Sequence, residues 1–215
     1  MNSKKHLIFL SGNFLSLQET SEDDVLEFTL TYTTPVGNRT VKYINNVYNG
    51  DIIEHMNPDK SEFNNVQFIK NNYENIYRDG TGDYEVISDI SNISRDILEY
   101  MKDNKTAYSV DGHIQFVIDV APYCWTKFIK TVFGNFPFNL GEKNISYIPF
   151  DMSSLFDIVY KDIDMSRLNL YNKFMSENDY KFINVTQEDT VDGFVKNRMM
   201  TYLYDKMMQE VIILW

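Results

Sequence analysis

LIFLSGNF, residues 7–14, and VLEFTLTYTT, residues 25–34, decide how this chain is read. The first opens on four successive apolar residues, the pattern of a strand covered on both faces. The second alternates, with Val25, Glu27, Thr29 and Thr31 on one side and Leu26, Phe28, Leu30 and Tyr32 on the other. That is the period of a half-buried strand, and it puts Glu27 on the more polar face. Pro35, Gly37 and Asn38 supply a turn, and residues 40–44 read as the returning strand. Three strands in succession make an antiparallel meander. The acidic link between the first two, QETSEDD, reads as a solvated turn.

Beyond the meander, apolar spacing changes from two to nearly four. Residues 61–77 carry weak helical patterning, and 78–83, RDGTGD, a loop. In residues 88–101 the apolar side chains Ile90, Ile93, Ile97, Leu98 and Met101 recur at helical spacing, with Ser88 or Ser91 placed to cap the start. A polar connection at 103–111 leads to a strand at 114–120. Pro122 suits the first turn of a following helix that continues through residues 125–133. A Pro- and Gly-containing loop (134–144), a short strand (144–150), helices at 152–160 and 165–177, a polar loop (184–192) and a last helix at 193–211 complete the order. The terminal VIILW is apolar throughout and reads as a final core strand or a dimer contact. The expected architecture is one α/β domain over residues 1–215, with a mixed sheet and helices on its faces.

Composition narrows the function classes. Of 215 residues, 43% are hydrophobic, enough for a core, and fifteen Phe with fifteen Tyr favour a sheet-containing fold. The formal net charge of -11 disfavours loose binding to nucleic acid, which depends on Lys and Arg neutralising phosphates, and favours a protein partner. A single cysteine cannot form an internal disulfide, as suits a reducing cytoplasmic setting. No apolar run is long enough to be a membrane span. The abundance of Asn, Lys, Ile and Tyr is the footprint of an AT-rich genome, such as that of a low-GC bacterium or its phage.

The order of these segments resembles the DEDD class of 3′–5′ exonucleases, on a ribonuclease H-like fold, and within it a small exoribonuclease-like branch of mycobacteria and phages. The resemblance rests on Phe9-Leu10-Ser11-Gly12-Asn13-Phe14, on VIDVAPYCWTKFIKTVFG in the centre, and on DGFVKNR at the start of the last helix. Members of that class hold two hard divalent ions about 4 Å apart with carboxylates, one ion on the attacking oxygen and one on the leaving oxygen. The resemblance implies metal ligands at positions 11, 13, 124 and 197, and a general base at 192. Here those positions are Ser11, Asn13, Cys124, Asn197 and Asp192, so none of the four ligand positions is acidic. Tyr123 keeps the Tyr that precedes the third ligand. The implied protein is a catalytically degenerate exonuclease-like chain that acts by binding a nucleic-acid end, a nucleotide or a protein partner. It would need no cofactor.

Two alternatives stay open. A shifted cluster of Asp119, Asp151, Asp157, Asp189 and Asp192 could hold Mg²⁺ or Mn²⁺ in an active nuclease, or the chain could be an α/β interaction module unrelated to nucleases. The plainer reading of Asp119 is a loop cap at a strand end, of Asp151 and Asp157 helix capping, and of Asp192-Gly193 a turn or cap. Cys124 lacks an obvious base and reads as an inert buried thiol. His6, His55 and His113 show no zinc spacing with it. The methionines of the last helix read as core filler.

Overall fold

Strand β1 (His6–Phe14) lies inside the sheet, with Ile8, Phe9 and Leu10 at most 1% exposed. The computed structural model describes residues 6–16, 24–34, 36–48, 50–59, 64–78, 85–105, 114–119, 122–134, 145–146, 148–160, 165–178 and 184–214. β2 (Val25–Thr34) pairs antiparallel with β1, placing Asn13 opposite Glu27 and Ser11 opposite Thr29. β3 (Gly37–Ile44) returns antiparallel to β2 and sets Lys42 opposite Thr29. The expected meander is therefore present.

Contrary to the half-buried reading, both faces of β2 are covered: Glu27 and Thr29 are fully buried and Thr31 nearly so. A polar face in the sequence is here a polar interior. Asp24, assigned above to a solvated turn, is also fully buried; its carboxylate accepts the Ser16 amide hydrogen (3.1 Å) and pairs with Lys127.

After β3 come two helices, α1 (Gly50–His55) and α2 (Val66–Ile76). A parallel strand, β4 (Glu85–Asp89), then joins the edge beside β3. Helical spacing in 88–101 hid it: Ser88 belongs to β4, and Asp89 caps a 3-10 turn at Ile90–Asn92 through the Ser91 amide. Only then does α3 (Ile93–Lys105) begin. β5 (Ile114–Ile118) crosses to the other side of β1 and lies parallel to it. Next come α4 (Pro122–Phe133), a bridge from Ile145 to Ile114, and the two-residue β6 (Phe150–Asp151), parallel to β5. α5 (Met152–Val159), α6 (Arg167–Asn178), a 3-10 turn at Asp189–Val191 and α7 (Gly193–Leu214) complete the order. The described part of VIILW, residues 211–214, is not a strand but continues α7. The expected loops at 78–83, 103–111 and 134–144 fall largely outside the described residues.

The sheet order is β4-β3-β2-β1-β5-β6, and β2 alone runs against the rest. This is a mixed α/β architecture. On one face α3 and α4 cover Ile8, Leu10, Phe28 and Leu30 through Ile93, Ile97 and Phe128. On the other, α5, α6 and α7 cover Phe9 and Val117 through Leu155, Leu170, Met199, Met200, Leu203 and Met207, so the methionines of α7 do fill core. A third apolar cluster joins α1 and α2 to Leu15 and Leu26. Among the described residues, no helix is long and apolar enough to cross a membrane.

Candidate functional site

Between α7 and the first three strands lies a layer that is polar and buried. Alternation along β1 and β2 turns Ser11 and Asn13, and Glu27, Thr29 and Thr31, to one side, and Lys42 of β3 joins them. All six are at most 7% exposed. The start of α7 presses directly on this layer. A Cβ at Gly193 would fall inside the Thr29 side chain, 2.8 Å from its Cβ, and 3.1 Å from Glu27 Oε1. Glycine is what lets the helix come so near.

Buried polar atoms need partners, and the layer is mostly self-satisfying. Asn13 Nδ2 donates to Glu27 Oε1 at 2.7 Å and to the Val191 carbonyl at 2.9 Å, while the Thr29 hydroxyl donates to Glu27 Oε2 at 2.8 Å. Burial pushes the Glu27 carboxyl above its ordinary range; the Lys42 and Lys196 charges pull it partly back. Lys42 Nζ spends its three hydrogens on Asp192 Oδ1 (2.8 Å) and the carbonyls of Ile76 and Arg78 (2.9 Å each). Asp192 Oδ1 also accepts the Phe194 amide hydrogen (3.0 Å), so Asp192 caps α7 as the plainer reading expected. Asn197 Nδ2 donates to the Phe9 carbonyl (3.2 Å), the Thr29 carbonyl (2.9 Å) and Thr31 Oγ1 (3.3 Å). Two backbone carbonyls facing one amide fix which end is nitrogen. Both Asn13 and Asn197 thus turn N–H groups to their acceptors, while Asn197 Oδ1 is left buried without a partner among the described residues.

Beside this layer a cleft of about 330 Å³ opens at the carboxyl ends of β1 and β5. From β1 the chain builds the sheet toward β4, and from β5 it builds toward β6. Ligands of open α/β sheets collect at such a reversal. The walls come from Leu10, Ser11 and Phe14 of β1, Asp119 just past β5, Cys124 of α4, Arg167 and Leu168 of α6, and Lys196 and Met199 of α7. Asp119 is not a loop cap; it pairs with Arg167, and burial raises its carboxyl pKa against the pull of that guanidinium. Burial likewise pushes the Cys124 thiol up to about 12, which leaves it protonated at neutral pH. The Lys196 ammonium makes no hydrogen bond or ion pair among the described residues. Ser11 Oγ is buried without a partner among them. A second hollow shares Gln187, Thr190 and Lys196 with the first and adds Asn13, Asn72 and the half-exposed Phe68.

Of the positions singled out in the sequence, Ser11 and Cys124 meet at the cleft, Asn13 borders the adjoining hollow, and Asp192 and Asn197 are sealed beneath α7. The shifted acidic cluster does not assemble. Asp119 pairs with Arg167, and Asp151 caps α5 through the Ser153 amide (3.0 Å). Asp157 lies exposed within α5 rather than at its start, and Asp189 turns back on Thr186. Among the described residues no three of His, Cys, Asp and Glu gather closely enough to hold an ion. Sequence reasoning missed Lys42, Arg167 and Lys196. For Lys42 a signal existed, since it sits between Val41 and Tyr43 in a strand whose alternation turns it to the Thr29 face. Comparisons of the chain with protein-family models, with curated proteins and with solved structures give no match.

Proposed function

We propose that this chain is a ribonuclease H-like protein, laid out as the DEDD-class 3′–5′ exonucleases are, that binds a nucleotide or nucleic-acid end in the β1–β5 cleft without cleaving it. The strand run β3-β2-β1-β5-β6 with β2 alone reversed supports that fold, β4 being an added edge strand. One observation carries the functional reading. At the ligand positions of the resembled class, Asn13 and Asn197 aim N–H groups at Glu27 and at backbone carbonyls, and Cys124 is a protonated thiol. Two divalent ions would meet donors and little negative charge. Glu27 and Asp119 are the acids nearby, but both oxygens of Glu27 already accept hydrogen bonds and Asp119 pairs with Arg167.

A 3′-labelled RNA or DNA oligonucleotide incubated with Mg²⁺ or Mn²⁺ is expected to stay full length. A ladder of shortened products sinks the reading. Calorimetric titration with either ion should show no micromolar two-site isotherm.

A second reading, docking of a protein partner, has one observation in its favour. The edge strand β4 leaves Val86 and Ile87 partly exposed at 45% and 37%. Edge strands accept added strands readily. Absence of both digestion and nucleotide binding would move weight there.

A further inference from the structure

The geometry points to a metal-independent phosphate-ester site in the β1–β5 cleft, with the Lys196 ammonium in the electrostatic role that divalent ions play in two-metal nucleases. The proposal rests on the reading just given for where the ligand sits, but not on whether cleavage occurs.

Lys196 is the second residue after Phe194, and so stands on the first turns of α7, the helix that closes the polar layer. Its side chain lines the cleft together with Ser11, Asp119 and Cys124. Yet it donates to none of them, and three N–H groups are left for a ligand. Among the described residues, the neighbouring cations have partners: Lys42 has Asp192 and two carbonyls, Lys127 has Asp24, and Arg167 has Asp119. An independent observation points to the same place. Ser11, 5% exposed and in the wall of the cleft, keeps a hydroxyl with no partner among the described residues. A buried hydroxyl without a partner costs free energy that an incoming acceptor would recover. A phosphate oxygen is such an acceptor, and Arg167, which also lines the cleft, has guanidinium hydrogens beyond the one given to Asp119. Leu10, Phe14, Leu168 and Met199 give the cleft an apolar part that suits the organic portion of an ester, beside the polar Ser166, Gln187 and Thr190. The chain's net charge of -11 does not forbid this, because charges beyond about 8 Å are largely screened at physiological salt.

The test is calorimetric titration of the full chain with adenosine monophosphate and, separately, with inorganic phosphate, both in EDTA. Saturable binding of the nucleotide in EDTA that weakens as NaCl rises is expected, with inorganic phosphate competing for the same site. Lys196→Gln should weaken nucleotide binding about tenfold or more, the loss of a charge-assisted hydrogen bond. Lys206→Gln, which removes the same charge from the same helix away from the cleft, should leave it unchanged. Circular dichroism melts check that both variants fold. No saturable binding of either probe, binding only with Mg²⁺ added, or equal effects of the two substitutions would overturn the proposal. Shortening of labelled oligonucleotides would instead overturn the non-cleaving reading and leave EDTA-resistant binding standing, so the two failures are distinguishable.

Discussion

Glu27 and Lys42 are the residues that set the character of the interior. Each is fully buried, and they face the same helix, but they serve different groups. For Glu27 the folded-state pKa lies above the unfolded value, so the native chain holds its proton more tightly. Its favourable contribution is full below the unfolded value and is lost as pH rises through the folded one. Glu27→Gln keeps the shape and removes that penalty. Urea denaturation from acid to neutral pH should show the variant gaining on the wild type as pH rises; a gap that stays constant would count against this. Lys42→Met leaves Asp192 as an unpaired buried charge and strips donors from two carbonyls. Breaking a buried pair this way costs about 3–5 kcal/mol. Adding Asp192→Asn should restore part of the loss, and a double-mutant cycle measures it.

At the scale of elements, α7 matters most, because it packs on β1, β2 and β3 and is pressed against β2 at one glycine. Gly193→Ala should lower the urea midpoint by the equivalent of about 1–3 kcal/mol, the usual cost of forcing extra volume into a packed site. An unchanged midpoint would mean that the helix can back away freely. Which elements were readable follows from what generates them. β1, β2, β3 and β5 show in the sequence because their apolar patterns are local, as do α3, α4 and α7. β4 did not, because its exposed Val86 and Ile87 lack alternation and a helical pattern overlaps its end. The same limit applies to the cleft. Ser11, Cys124 and Asp119 could be named from one dimension. Arg167 and Lys196 reach it only through the packing of α6 and α7, and no spacing rule links residues 119, 167 and 196. Glu27 was placed on a polar face, but nothing local said that a helix would cover it.

For the molecule as a whole, charge limits what the cleft can hold. A chain of net charge -11 whose cleft holds one lysine without a partner among the described residues should neutralise about one phosphate, not a long backbone. The logarithm of affinity for single-stranded oligonucleotides should therefore fall with the logarithm of salt at a slope of about -0.7, the value for one contact. Lengthening the oligonucleotide should leave that slope unchanged; a steeper slope with length would reveal a basic track. The amide of Asn197 reaches back 188 residues in sequence to the Phe9 carbonyl, and Asn13 reaches 178 to Val191. Synthesis from the N-terminus lays down the meander long before its cover. Until that cover is made, Asn13 lacks the Val191 carbonyl and Lys42 lacks Asp192, so the central sheet is completed last although its strands are made first. Such distant closure belongs to slow folding, and a ribosome stalled ahead of α7 would carry a sheet still open to proteases.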